Sequence, residues 1–376
     1  MKKILIVYAT AGIGHKKASV AVKKALDEVA PKEIEVTLID ALDYTNAFFK
    51  WSYLQAYLLM VNKLPTFWGL SYYITDNFFV NIVVSKIRRL SNWLNSIKLS
   101  KYLKDNKFDV IISTHFFASE VIANMKKSGD LNARLITIVT DYRLHSWWVA
   151  PQTDLYIVAS REAKNDLIRW GEKEDKVKVL GIPVEPVFSK KFDKAATIDK
   201  LGLTKDLFTV LVIGGGFGVG PIEDIIKNCD KVRSPIQVVA VCGHNEELVA
   251  RLNAVKSGLK IHLHPMGFID NVYEYMEVSD ILISKSGGIT VSESLAKEIP
   301  MVVIAPIIGQ ETRNAGFLMD NGAAFIIHKT EDLKDLLEKL TSDKDLIANM
   351  KEAVRAVKKP MACYDAAKIA IDLCGR

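Results

Sequence analysis

The stretch from Asp280 to Asn314, DILISKSGGITVSESLAKEIPMVVIAPIIGQETRN, leaves this part of the chain few choices of fold. Ile281 to Ser284 is an apolar run of strand length, and Ser286-Gly287-Gly288 is a turn. A helix opens at Ile289 or Thr290, Met301 to Ala305 is a second buried run, and a polar loop enters another helix near Gln310. This is one βαβ unit whose glycine-bearing turns lie at the carboxyl ends of parallel strands. Open α/β sheets bind their ligands at that edge.

The same stretch narrows the ligand. Ser286, Gly287 and Gly288 place small residues at a helix N-terminus, where unpaired N–H groups and the positive end of the macrodipole favour a phosphate. Glu293, about one turn further on, can accept hydrogen bonds from a diol such as a ribose. Gln310, Glu311 and Asn314 form a polar cluster suited to sugar hydroxyls. Together they read as a nucleotide and a sugar held side by side.

The pattern also opens the chain. Lys3 to Tyr8 is a strand and Ala18 to Val29 has helical spacing; between them Gly12 and Gly14 let the backbone turn sharply and deliver His15 at the helix start. No third glycine completes a GxGxxG fingerprint, so a dinucleotide is not indicated. After a strand at Ile34 to Ile39, aromatics are dense from Tyr44 to Tyr102. That segment ends in a helix with Arg88, Arg89 and Trp93 whose apolar face adjoins a basic one. Such a helix can lie in a lipid interface, with aromatics such as Trp68 and Trp93 inserted and Arg88 and Arg89 on anionic headgroups. The competing reading makes the aromatics the core of helices added to the domain.

Phe108 to Thr114 is a strand ending at His115, and Arg134 to Thr140 another ending at Asp141, with His145, Trp147 and Trp148 close behind. His15, His115, Asp141 and His145 therefore share one rim, where each can serve as a base, orient one, or simply cap the next helix. Gly181, Pro183 and Pro186 mark a linker. The pattern restarts at Phe208 to Ile213, followed by GGGFGVGP, a turn with Gly215 and Gly216 that lacks the Lys-Ser/Thr of a P-loop. A strand with its turn recurs at Gln237 to Gly243, Leu263 to Asp270 precedes a short helix, and a last amphipathic helix follows Pro360.

At 376 residues the chain can bury two ordinary cores. Its net charge of +6 is uneven, with about +7 on residues 1–185, so the first half is expected to face an anionic partner. The four cysteines have neither CxxC nor metal spacing, and the chain opens on a strand without a cationic and apolar leader, as expected of a reduced cytosolic protein. No apolar run reaches the roughly 20 residues that span a bilayer, so any work on lipid is expected from the surface.

SKSGGITVSESLAKEIPMVV, followed by GQE and Asn314, resembles the donor-binding segment of inverting glycosyltransferases of the B fold. The branch is the one holding monogalactosyldiacylglycerol synthases, bacterial processive diacylglycerol glucosyltransferases and the lipid II-forming N-acetylglucosaminyl transferase. GIGH at 12–15 and the Thr140-Asp141 pair before His145 and Trp147 extend the resemblance. It implies an α/β protein of two Rossmann-like domains facing across a cleft: an acceptor- and membrane-facing domain at 1–185, a donor domain at 186–358, and a terminal helix at 359–376 packing back on the first domain. It further implies that Gly12, Gly14, Gly215, Gly216 and Gly243 approach the donor, and that the backbone of Phe268 and Ile269 recognises the uracil edge. Ser286, Gly287, Gly288, Ile289, Thr290, Glu293, Gln310, Glu311 and Asn314 would hold the rest of the UDP-sugar. His15, Asp141 and His145 are the catalytic candidates.

The substrates implied are UDP-glucose or UDP-galactose and diacylglycerol, with an anionic membrane surface at the cytoplasmic face as partner and no nucleic acid. Transfer would be one displacement with inversion. No metal or other cofactor is expected, because helix N-termini after Gly216 and Gly288 can meet the growing diphosphate charge. Three rivals share the architecture: transfer of N-acetylglucosamine to a polyprenyl diphosphate, a UDP-sugar 2-epimerase, and a non-catalytic UDP-sugar-binding protein. The aromatic insertion and the cluster of Thr140-Asp141, His145 and Trp147 favour the glycerolipid enzyme, and the His15 turn speaks against a non-catalytic binding protein.

Overall fold

A computed structural model describes residues 1–10, 12–215 and 220–375, leaving aside the side chains at 54, 57, 58, 61 and 62; Gly216 and the Tyr57 side chain thus lie outside the described residues. The chain divides into two compact units. The first comprises Met1–Pro186, Ile307–Arg313 and Met361–Arg376, the second Val187–Pro306 and Asn314–Pro360.

The first unit holds six parallel strands: β1 (Lys2–Tyr8), β2 (Ile34–Asp40), β3 (Val110–Ser113), β4 (Arg134–Ile138), β5 (Leu155–Val158) and β6 (Val177–Val179), in the order β2-β1-β3-β4-β5-β6. Their side chains alternate between two buried faces, as a parallel sheet covered on both sides requires. Ile4, Ile6, Val110, Ile112, Ile136 and Ile138 pack under Ala21, Val22 and Ala25 of helix Ile13–Val29. The tail helix Ala362–Cys374 joins the same face through Cys363, Ala366, Ala367 and Ala370, side chains small enough for close approach. Leu5, Val7, Ile111 and Leu135 face the other way, against helices Ile97–Asp105 and Phe116–Lys127.

Between β2 and β3 four helices are inserted: Ala47–Lys63, Pro65–Thr75, Phe78–Asn95 and Ile97–Asp105. Helix Phe78–Asn95 is inside out for a water-soluble element. Its Asn92 is buried, while Phe78, Phe79, Ile82, Val83, Ile87, Leu90, Trp93 and Leu94 stand exposed. Most of the large exposed apolar side chains among the described residues fall between Phe48 and Ile97. No described helix is long and apolar enough to cross a membrane.

The second unit repeats the architecture with β7 (Phe208–Ile213), β8 (Ile236–Val241), β9 (His262–Met266), β10 (Ile281–Ser284), β11 (Met301–Ile304) and β12 (Ala324–Ile327), in the order β12-β11-β10-β7-β8-β9. Each sheet reverses its strand order once, between β1 and β3 in the first and between β7 and β10 in the second. These switch points open a crevice outside the carboxyl ends of the strands, and the sites described next lie there.

Candidate functional site

In the first unit the turn after β1 needs Gly12, whose φ of 130° is a conformation L side chains rarely adopt. The turn starts helix Ile13–Val29 and sets His15 against the end of β3. His15 Nδ1 lies 2.7 Å from the Thr114 carbonyl oxygen, an acceptor, so Nδ1 carries the proton and Nε2 is the unprotonated nitrogen. Thr140 Oγ1 is 3.0 Å from the same Nδ1, and Thr114 Oγ1 donates back to the His15 carbonyl at 3.0 Å. Burial pushes the His15 pKa down to about 4, leaving a neutral imidazole near pH 7.

The neighbouring histidines are committed elsewhere. His115 caps helix Phe116–Lys127, its Nδ1 accepting from the Phe117 N–H at 3.1 Å, and its ring meets His15 edge-on at 4.5 Å. His145 was a catalytic candidate in the sequence, but both its nitrogens are engaged. Nδ1 accepts from the Trp147 N–H at 3.2 Å, and Nε2 donates to the Tyr72 carbonyl at 2.9 Å. It fixes the backbone of helix Pro65–Thr75 and is not free to take a proton. Asp141 is different. This buried carboxylate accepts from the Trp148 indole at 3.1 Å and from the Gln310 amide.

These groups converge on a cavity of about 300 Å³. Tyr53, Met60, Trp68, Tyr72, Phe116, Trp147 and Trp148 form its apolar walls, with His15, His115, Asp141, His145, Arg88 and Gln310 as the polar points. Behind the wall, Glu120 is buried and accepts from Arg88 Nε at 3.0 Å and from Asn92 at 2.6 Å, with Arg89 Nε 3.4 Å away. Three polar atoms of the lining are buried without any hydrogen-bond partner: Tyr72 Oη, Arg88 Nη1 and Trp147 Nε1.

Several placements differ from the sequence reading. Arg88 is not a headgroup contact, because Glu120 draws it inward; Arg89 is shared between Glu120 and solvent. Trp68 lines the cavity, whereas Trp93 stands 62% exposed. Gln310 and Glu311, grouped in sequence with the donor residues, fall in the first unit. There Gln310 binds Asp141, and Glu311 accepts from the Ile307 N–H at 2.9 Å at the start of its own helix. Segment 307–313 fits because Gly69 gives Ile308 room: a Cβ at Gly69 would come within 2.2 Å of Ile308 Cγ2.

In the second unit the Ser286-Gly287-Gly288 turn follows β10, and helix Gly288–Ala296 begins there with no side-chain cap on its first N–H groups. Ser286 and Asn314 are fully buried, Asn314 Nδ2 donating to the Ser286 carbonyl at 3.1 Å. Asn314 thus braces the turn. Ile289 and Glu293 are buried and Thr290 half-buried along that helix. Gly215 (φ 74°) follows β7 and Gly243 (φ 58°) follows β8. Phe268 and Ile269 follow β9, with the Phe268 ring 56% exposed and stacked on His244 at 4.5 Å.

Two family models match the chain, Monogalactosyldiacylglycerol (MGDG) synthase over residues 15–184 and Glycosyltransferase family 28 C-terminal domain over 209–368. A processive diacylglycerol beta-glucosyltransferase of Staphylococcus carnosus is 30% identical, the match covering 96% of this chain and 90% of that protein. The chain belongs to the diacylglycerol glycosyltransferase family. Acinetobacter baumannii MurG has the same fold, with a TM-score of 0.67 at 16% identity over 99% of this chain and all of that one. Staphylococcus aureus MnaA, solved with UDP, scores 0.63 at 14% identity over 100% and 98%. The architecture is therefore the glycosyltransferase B fold of two Rossmann-like domains. Sequence reasoning did not reach Tyr72, Trp148, Glu120 and His244 as parts of these two sites. Glu120 carried a signal: a carboxylate inside the apolar helix FFASEVIANM demands a cationic partner.

Proposed function

We propose that this family member transfers glucose from UDP-glucose to the free hydroxyl of diacylglycerol, with inversion, at the cytoplasmic surface of a membrane. The observation that carries the reading is Asp141. A carboxylate that accepts from the Trp148 indole and the Gln310 amide stands in a largely apolar cavity, and three of the helices lining that cavity also carry exposed apolar surface. A lipid whose chains rest on those helices would place its hydroxyl within the cavity. Asp141 then takes the hydroxyl proton as the oxygen attacks the anomeric carbon and UDP departs. Burial holds His15 as a neutral imidazole beside that carboxylate.

The uncapped N–H groups at the start of helix Gly288–Ala296 would receive the diphosphate charge, with no metal required. Glucose is preferred over galactose because the Staphylococcus carnosus relative is a glucosyltransferase. Incubation with diacylglycerol vesicles and each UDP-sugar, followed by mass measurement of the lipids, tests the proposal. A product heavier by one hexose, formed from UDP-glucose, is expected; no lipid product from either sugar nucleotide would sink it.

A further inference from the structure

Asp141 lies in a stretch that has no helix or strand of its own between β4 and the turn Ser146–Trp148, so hydrogen bonds set the direction of its carboxylate. The Trp148 indole that donates to it belongs to the same stretch of chain. The Gln310 amide comes from another element, the first residue of helix Gln310–Asp320. Gly309 precedes it with a φ of 109°, so that helix begins abruptly and its first turn needs an anchor.

Arg313 supplies one. Residues three apart on a helix share a face, which puts Arg313 on the face of Gln310. Its guanidinium spans two acceptors: Nη1 donates to the Leu144 carbonyl at 2.8 Å and Nη2 to Asp76 Oδ2 at 2.6 Å. Asp76 follows helix Pro65–Thr75, and its other oxygen accepts from the Ser146 N–H at 2.7 Å. Helix start and loop are thus joined like a ladder, with Gln310 on Asp141 as one rung and Arg313 on Leu144 as the next, three residues along each side. The guanidinium also lies 5.0 Å from the centre of the Tyr72 ring and 5.4 Å from that of Tyr73. A planar fork held at two acceptors and against two rings has little freedom to move. Resting on the reading of Asp141 as the base, we propose that Arg313 is a positioning residue for the transfer: it holds Gln310 where the amide aims the Asp141 carboxylate at the attacking hydroxyl. A displacement of about 1 Å at a reacting group can cost about 10²-fold in rate, which gives such an anchor its value.

A double-mutant cycle on kcat, with dihexanoylglycerol and UDP-glucose as substrates, tests this. Arg313→Met is expected to lower kcat about 10- to 100-fold while UDP affinity, measured by calorimetry, stays within about twofold. In a Gln310→Ala background the same substitution is expected to change kcat by less than about twofold, because the group it positions is already gone. Effects that simply multiply would show that Arg313 only supports the fold, and would overturn the inference. Arg313→Lys returns a cation to Asp76 without the planar fork, so it is expected to recover little of the lost rate; full recovery would make charge alone sufficient and likewise overturn it. Should Arg313→Met fail to fold, Asp76→Asn removes the ionic partner instead and enters the same cycle, with a fall of about 3- to 10-fold expected in wild type and none beyond about twofold with Gln310→Ala. If wild type glycosylates no lipid, or Asp141→Asn keeps full kcat, the reading beneath the inference fails instead. The crystal structure of the folded variant still decides this point: Gln310 drawn away from Asp141 supports it, and Gln310 still bonded there refutes it.

Discussion

The two units solve the same topological problem with different materials. Both have six parallel strands and one switch point, yet the crevice of the first is filled by side chains and that of the second is lined by main chain. At β1 and β3 the chain spends buried imidazoles, a carboxylate and six aromatic rings on one cavity. At β7 and β10 it spends glycines and an uncapped helix start. The difference teaches where each kind of work belongs. A diphosphate can be held by N–H groups that any sequence of small residues supplies, whereas activating a hydroxyl beside lipid needs particular side chains in a dry setting.

The sharpest way to break this contrast is to remove the carboxylate of the first unit. Asp141→Asn keeps the size of the side chain, turns one of its two acceptors into a donor and loses the base, so kcat is expected to fall about 10²- to 10⁴-fold with UDP affinity unchanged. A loss confined to UDP affinity would move Asp141 to the donor. Next in size is Glu120→Ala, which leaves Arg88 and Arg89 without their shared carboxylate and is expected to cost about 3 kcal/mol of stability. All six tryptophans lie between Trp51 and Trp170. Urea unfolding followed by tryptophan fluorescence therefore reports the first unit alone, and an unchanged midpoint would show that the pair is not structural.

That contrast also explains what was legible in the sequence. Glycine-rich turns between apolar runs announce themselves locally, so Ser286 to Gly288 and the GIGH turn stood out, and strands such as β1, β7, β10 and β11 followed from unbroken apolar runs, whereas β12 was not read. The cavity did not, because its partners are far apart in sequence: Arg88 meets Glu120 across 32 residues, and Gln310 meets Asp141 across 169. A helical basic stripe looks the same whether it faces lipid or a buried carboxylate; only Glu120 decides that Arg88 turns inward. Gln310 and Asn314 are neighbours on one helix, yet they serve different units, a division no spacing rule reveals.

The buried histidines allow the comparison to be sharpened by pH. Burial lowers the pKa of His15 and His145 to about 4 and that of His115 well below 6.5, so each is neutral when folded and protonates first in the unfolded chain. A folded pKa below the unfolded value means stability is retained above about pH 6.5 and lost as pH falls from there towards 4. Each histidine is expected to contribute a loss of about 1 kcal/mol per pH unit in that window. Tryptophan-detected urea midpoints at pH 7 and pH 5 check this; equal midpoints would mean that the imidazoles titrate freely. In the second unit, Glu293→Ala is expected to weaken UDP binding by about 1 to 3 kcal/mol, measured calorimetrically, while lipid binding stays as it was.

The smallest effect tests the outer surface of the insertion, where apolar side chains face outward and charge is sparse. Lys86 is exposed on the same helix as Ile82, Val83, Ile87 and Trp93, all of them exposed too. If this face rests on a membrane, Lys86 sits at the headgroups, where one cation contributes about 1 kcal/mol towards an anionic surface. Lys86→Gln is then expected to lower partition onto anionic vesicles about fivefold at low salt and to leave partition onto neutral vesicles unchanged, since screening and loss of surface charge both remove the attraction. Trp93→Ala should lower partition onto both kinds, because its contribution is apolar. The pair of variants separates two ways a basic, aromatic helix can attach. Loss on anionic vesicles from both variants, with only Trp93→Ala felt on neutral ones, marks a surface that inserts and is also steered by charge. Should neither change flotation, the exposed apolar residues from Phe48 to Ile97 would need another explanation, and the path by which a lipid reaches Asp141 would have to lie elsewhere on the first unit.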